Sequence, residues 1–297
     1  MSDVVFPKTV HIDPPDDDIA GVSKAASEAI YSMLKSGRRY FGSAGASLTH
    51  QVYNPDPNSD IKPSLAKIGL EGERSTSEIL REWIKDKPNA VLVDSVHINE
   101  WARRIESDIP EVDAEEFEED TVDPDLGLKD GKDTDHVLII GDYVLLIDTK
   151  RWKSKRAYSV SDSGTVLRSN KPFPGGNIKM KNAIYLWNNY LHPGTFVTGF
   201  VFINTEDEGL EPPTDPDEKK TFVVRNRNWY TKPYRVVEKT RFIETLEKYI
   251  EKEIQGKNPE EMSHINSSVV SQIVASAIKP YDVRKRVFNS AALKSFS

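Results

Sequence analysis

The sequence predicts an α/β protein: a mixed central sheet flanked by helices, with helical additions at both ends. Three observations predict it. Apolar residues recur at helical spacing near the start of the chain, at Ile19, Val22, Ala25, Ala26, Ile30 and Leu34. Two apolar runs meet at Gly141-Asp142, a two-residue step that favours a tight hairpin. Beyond it, strand-prone and helix-prone segments alternate.

Taken in order, residues 1–17 read as extended, and the first helix follows Asp16-Asp17-Asp18 and stops near Gly37. Residues 42–62 are rich in Gly, Ser, Asn, Pro and Asp and read as a linker. A second helix covers about 71–85, and a short strand 91–96. Residues 104–132 read as a long acidic loop before the hairpin, 135–148. A strand at 157–160 turns at Asp162-Ser163-Gly164 into 165–168. A helix at about 178–191 leads to a β-prone strand, 195–204. A short strand, 221–224, precedes a helix at 240–255 that Gly256 and Pro259 break, and a last helix covers 263–278. Residues 1–62 thus form an N-terminal extension with one helix and a linker, 63–255 a central domain, and 256–297 a C-terminal helical extension.

The chain of 297 residues contains no cysteine, which excludes disulfides, thiolate metal sites and cysteine nucleophiles and fits a reducing cytoplasm. No apolar run approaches the ~18 residues of a membrane span, so no membrane partner is expected. The N-terminus is acidic and Pro-rich, unlike a signal peptide. Asn266-Ser267-Ser268 matches a glycosylation sequon and reads as chance.

The net charge of −7 is unevenly spread. Residues 1–147 carry 15 Lys and Arg against 30 Asp and Glu, a balance of −15, and residues 148–297 carry 25 against 17, or +8. Much of the acid lies around Glu115-Glu116-Phe117-Glu118-Glu119-Asp120. A polyanion responds to local potential rather than to the whole-chain sum, so the basic second half leaves nucleic acid open as a partner.

The hairpin carries the chemistry. If Gly141 and Asp142 are its turn, Ile140 pairs with Tyr143, and the same register sets Asp135 opposite Asp148. Directly opposed residues share a face with β-carbons about 5 Å apart. Two like charges there are destabilising unless a cation, a shared proton or a lysine compensates. Lys150, two residues past Asp148, projects from the same face. On the helix before the hairpin, at about 100° per residue, Leu80 and Ile84 fall about 20° to either side of Glu73. That places Glu73 on the apolar stripe, where a carboxylate is costly unless paired or metal-bound. Three carboxylates and a lysine form a hard-oxygen site suited to Mg²⁺ or Mn²⁺. Such a site fits phosphodiester hydrolysis.

Gly72-Glu73-Arg74, Asp135-His136 and Asp148-Thr149-Lys150, followed by Trp152, resemble the nuclease-related domain (NERD) family over about residues 68–250. That family is placed in the PD-(D/E)XK nuclease superfamily. The resemblance implies a restriction-endonuclease-like core and Mg²⁺-dependent cleavage, of DNA ahead of RNA. It implies that Asp135 and Asp148 are metal ligands and Lys150 the catalytic lysine. Glu73 would complete the metal site or bind its water. His136 points to the other sheet face and reads as structural. Two residues depart from the family pattern. Asp148 stands where Glu is usual, and Lys181 stands where a Gln is often found; a lysine can contact phosphate but cannot accept a hydrogen bond.

Basic residues cluster beside these positions. Lys153, Lys155 and Arg156 run out of the hairpin, and Lys179 and Lys181 open the next helix. All five are candidates for contact with a nucleic-acid backbone. Arg225, Arg227 and Lys232 surround Trp229 and Tyr230, and Arg284-Lys285-Arg286 lies near the C-terminus. The aromatics Tyr185, Trp187 and Tyr190 read as core and flank rather than as a stacking platform. The alternative function is a non-catalytic module that keeps the fold and binds nucleic acid or protein. The helical extensions could also join two copies of the chain.

Overall fold

The computed structural model describes residues 4–53, 62–98, 132–152, 158–160, 166–168, 171–172, 176, 178, 180–204, 221–224 and 234–277. The acidic segment at 104–131, Lys153, Lys155, Arg156, Lys179 and the basic clusters at 225–232 and 284–286 lie outside the described residues.

The hairpin forms as its sequence dictates. Strands β4, Lys132–Ile140, and β5, Tyr143–Lys150, pair antiparallel from Ile140↔Tyr143 to His136↔Ile147. Gly141 takes φ +55°, a left-handed turn conformation that glycine adopts without steric penalty. Around the hairpin lies a seven-stranded mixed sheet. It is completed by β2, Tyr40–Gly42; β3, Ala90–Ile98; β9, Phe196–Ile203; β10, Thr221–Val224; and β11, Tyr234–Glu238. The spatial order is β10-β11-β9-β5-β4-β3-β2. The pairs β11–β9, β9–β5 and β3–β2 are parallel and the rest antiparallel. Tyr158–Val160, Val166–Arg168 and Lys171–Pro172 (β6 to β8) form a small antiparallel sheet.

Residues on the sheet's two faces alternate, as strand geometry requires. Val91, Val93, Val137, Ile139, Val144 and Leu146 face one layer of helices. That layer holds α1, Lys24–Lys35; α4, Met180–Tyr190; and α6, Ser267–Ala275. Leu92, Leu138, Ile140, Leu145 and Ile147 face the other, made of α3, Pro63–Ile84, and α5, Phe242–Tyr249. Both layers are apolar cores, so the central strands read as near-continuous apolar runs. None of the described helices is long and apolar enough to cross a membrane.

Several elements differ from expectation. The segment expected as a linker, 42–62, begins at the last residue of β2 and contains a helix α2, Ala46–Tyr53. Helix α3 begins at Pro63 rather than near 71. Gly69 and Gly72 weaken its local propensity, and packing overrides that. Gly72 serves the packing directly, because a β-carbon there would press on the Arg151 side chain at 2.8 Å. Strand β11 was not expected. The expected helix at 240–255 is α-helical only to Tyr249 and continues as a π-helical turn, Ile250–Gln255.

The first and last described segments meet. β1, His11–Asp13, pairs parallel with β12, His264–Asn266. Together they clasp the hairpin turn. The Asp142 amide donates to Glu261 Oε2 at 2.6 Å, and Asn266 Nδ2 donates to Asp142 Oδ1 at 2.6 Å. His264 lies between Glu261 Oε2, 3.1 Å from Nε2, and Asp13 Oδ2, 2.6 Å from Nδ1. The sequon residue Asn266 is the N-cap of α6, accepting from the Ser268 and Val269 amides.

Candidate functional site

At the open end of the hairpin the structure brings together Glu73, Asp135, Asp148 and Lys150. The register that pairs His136 with Ile147 would, continued one step, set Asp135 opposite Asp148. The recorded ladder stops short of that step. Instead, the Thr149 amide donates to Asp135 Oδ2 at 2.7 Å, so the carboxylate is anchored to the neighbouring strand's backbone. Lys150 Nζ lies 2.8 Å from Asp148 Oδ1 and 2.7 Å from Oδ2. Both side chains of this ion pair are about a quarter exposed, at 26% and 29%.

Glu73 arrives from α3. It is only 5% exposed, on the stripe that continues through Ser77 and Leu80. Asn204 fixes the approach of its helix. Its backbone amide donates to the Lys150 carbonyl at 2.9 Å, and its Nδ2 donates to Gly72 O and Thr76 Oγ1, each at 3.3 Å. The Gly-Glu turn of the helix is thereby tied to the strand end that carries the lysine.

The electrostatics match this crowding. Burial pushes the Glu73 carboxyl well above the ordinary carboxylate range, and the Asp135 and Asp148 charges push it further. Asp135 is pushed up to about 6, first by burial and then by the Asp148 charge. Burial pulls the Lys150 ammonium down, but Asp148, Asp135 and Glu73 outweigh it and leave Lys150 above its ordinary value. Glu73 Oε2, Thr149 Oγ1 and His136 Nε2 are buried polar atoms in this region with no hydrogen-bond partner among the described residues. Such groups are rare in folded proteins and mark places where a water, ion or substrate completes the shell.

The oxygen donors suit a hard divalent cation. Among the described residues, no three carboxylate or imidazole groups stand close enough, as placed, to enclose a cation on their own. Mg²⁺ needs no such cage, because it keeps several waters and takes one or two carboxylates.

The remaining candidates fall in different places. Lys181 lies half-buried in the first turn of α4. Trp187 and Tyr190 are core residues, and Trp187 Nε1 donates to Thr134 Oγ1, next to Asp135. Tyr185 is exposed. His136 lies on the face opposite Val137 and bonds to Asp94, a residue that sequence reasoning passed over. Its signal was present: Asp94 is the only charged residue within the strand Ala90–Ile98. Asn204 was read only as the end of a strand.

No family model matches the chain, and searches of characterised proteins and of solved structures show no match either. The functional reading therefore stands on the geometry of the site.

Proposed function

We propose that the protein is a metal-dependent nuclease of the PD-(D/E)XK type, resembling the NERD family, that hydrolyses phosphodiester bonds of DNA. One observation carries this reading. The charges of Asp135, Asp148 and Lys150 act on a buried Glu73, and a Glu73 oxygen has no partner among the described residues. Such crowding is unfavourable in a purely structural hairpin, and a divalent cation relieves it.

Asp135 and Asp148 would hold Mg²⁺ or Mn²⁺, and Glu73 would complete its shell or bind one of its waters. When bound, the ion polarises a phosphate oxygen and lowers the pKa of a coordinated water. The chain's own residues do the rest. The Thr149 amide fixes Asp135 before substrate arrives. Lys150, with its pKa raised, stays an ammonium, which suits it to orient the attacking water and offset charge on the phosphate rather than to take a proton. Lys181 would meet the nucleic-acid backbone.

The test is cleavage of plasmid and linear DNA with Mg²⁺ or Mn²⁺ by wild type, Asp148→Ala and Lys150→Ala. Loss of cleavage in both variants supports the assignment, and wild-type cleavage in both would sink it. A second reading, a non-catalytic nucleic-acid- or protein-binding module, draws on the closed Asp148–Lys150 pair and the lack of an enclosed cluster among the described residues. Its nucleic-acid form requires salt-sensitive DNA binding with no heat of metal binding at millimolar Mn²⁺.

A further inference from the structure

Beside the crowded carboxylates lies a second polar pair that the nuclease reading does not use. The side chains of Asp94 and His136 are fully shielded from solvent, and His136 Nδ1 lies 2.7 Å from Asp94 Oδ1. The other Asp94 oxygen accepts from Ser77 Oγ at 2.5 Å and from the Tyr40 hydroxyl at 3.0 Å. One carboxylate on β3 therefore holds β2, α3 and β4. A buried carboxylate with a donor from each neighbour is stiff, because losing any donor leaves charge unsolvated.

The pair sits next to the only interruption in the β3–β4 ladder. Asp94 pairs with His136 and Val96 with Thr134, and the skipped step is Ser95 opposite Asp135. Ser95 has φ +52°, the only positive φ at a non-glycine among the described residues. A residue with a β-carbon persists there only where its surroundings over-determine it. Here they do. Asp94 is locked on one side, and Ser95 Oγ accepts from the Ala46 amide at 3.0 Å on the other. Across the parallel pair from Asp94, Gly42 leaves no room for a side chain, because a β-carbon would run into the Asp94 carbonyl oxygen. At the skipped step Asp135 has no strand partner among the described residues, and its carboxylate lies on the Thr149 amide.

We propose that Asp94 and His136 are positioning residues. Their bond fixes the Ser95 kink, and the kink holds the Asp135 carboxylate on the Thr149 amide. The purpose of this brace rests on the nuclease reading, but its geometry does not. Inert core packing makes a different demand: its loss loosens the whole sheet, whereas loss of a brace loosens one contact.

The experiment is amide hydrogen exchange on the full chain, comparing wild type, His136→Leu and His136→Asn. Leucine keeps bulk and removes the donor, while the asparagine amide replaces the Nδ1 donor. The brace predicts that His136→Leu speeds exchange at the Thr149 amide about tenfold relative to Val144 and Leu146 on the same strand, and that His136→Asn stays near wild type. A uniform rise along β5, or an unchanged Thr149 in folded His136→Leu, would overturn it. If His136→Leu does not fold, Ser77→Ala, which removes one donor to Asp94, must give the same selective rise to a smaller degree. Calorimetry with Mn²⁺ adds a readout that packing alone would leave unmoved: affinity should fall about tenfold in His136→Leu and return in His136→Asn. Selective exchange in a protein whose wild type binds no Mn²⁺ would sustain the brace and remove the nuclease reading.

Discussion

The two ends of one hairpin satisfy their carboxylates to different degrees. At the turn, Asp142 and Glu261 are bound by an amide, an asparagine and a histidine that also reaches Asp13. Bonding to Glu261 raises His264 to about 9, against burial and with help from Asp13. At the open end, one lysine pairs with Asp148 and also feels the charges of Asp135 and Glu73, burial raises Glu73 and Asp135, and a glutamate oxygen has no partner among the described residues. The same strands carry both ends, so strand propensity does not explain the contrast. The turn is built for stability. The open end keeps an unfavourable arrangement that a cation and a phosphate would relieve, as functional sites often do.

Four experiments break or sharpen this comparison. The largest effect is expected at the open end. Asp148→Ala and Lys150→Ala should each reduce DNA cleavage by about 100-fold or more. In urea titrations without metal, Lys150→Ala should be the less stable of the two, because it leaves the carboxylates uncompensated. Equal stability would argue that the crowding is weak.

Next in size is the turn. Gly141→Ala places a β-carbon at φ +55° and against the Glu261 backbone. It should cost about 2 kcal/mol or more of stability and leave metal affinity alone. A loss of metal affinity of the same order would show that the two ends are not independent.

The pH response separates the ends more gently. Asp135 binds its proton more tightly when folded, so its contribution is present below about 4 and is lost as pH rises through about 6. His264 is also raised, so its contribution is present below its ordinary value near 6.5 and is lost as pH rises through about 9. Metal-free urea midpoints measured against pH should show two declines. Asp135→Asn should flatten the first and His264→Gln the second. The smallest effect is Glu73→Gln, which removes a crowded charge and should raise metal-free stability at pH 8 by about 1 kcal/mol or less, while weakening Mn²⁺ binding. A clear loss of stability there would mean that the Glu73 charge is already satisfied.

Much of this was legible in the sequence for a local reason. A two-residue turn fixes register by counting, so the pairing from Ile140↔Tyr143 to His136↔Ile147 followed from Gly141-Asp142 alone, whereas the expected step of Asp135 opposite Asp148 is not formed as a strand pair. The apolar stripe of α3 likewise placed Glu73. What escaped was long-range. Tyr40, Ser77 and Asp94 are ordinary residues until β2, α3 and β3 come together, and Asn204 gains its role only from Gly72 and Thr76 across the fold. Strand β2, three residues long, carries too little pattern to stand out from a polar segment. The left-handed Ser95 has no local signal, because the surrounding contacts impose it.

The parallel β1–β12 pair has a kinetic meaning. It joins His11 to His264 across almost the whole described chain, whereas the hairpin closes over two residues. Contacts of long sequence separation bear a larger loop-closure entropy and form late. The turn's clasp should therefore be among the last structures to assemble, after the hairpin has already paired Ile140 with Tyr143 and His136 with Ile147. A chain emerging in order would complete the hairpin's open end first and secure the turn only when the last of the described strands arrives.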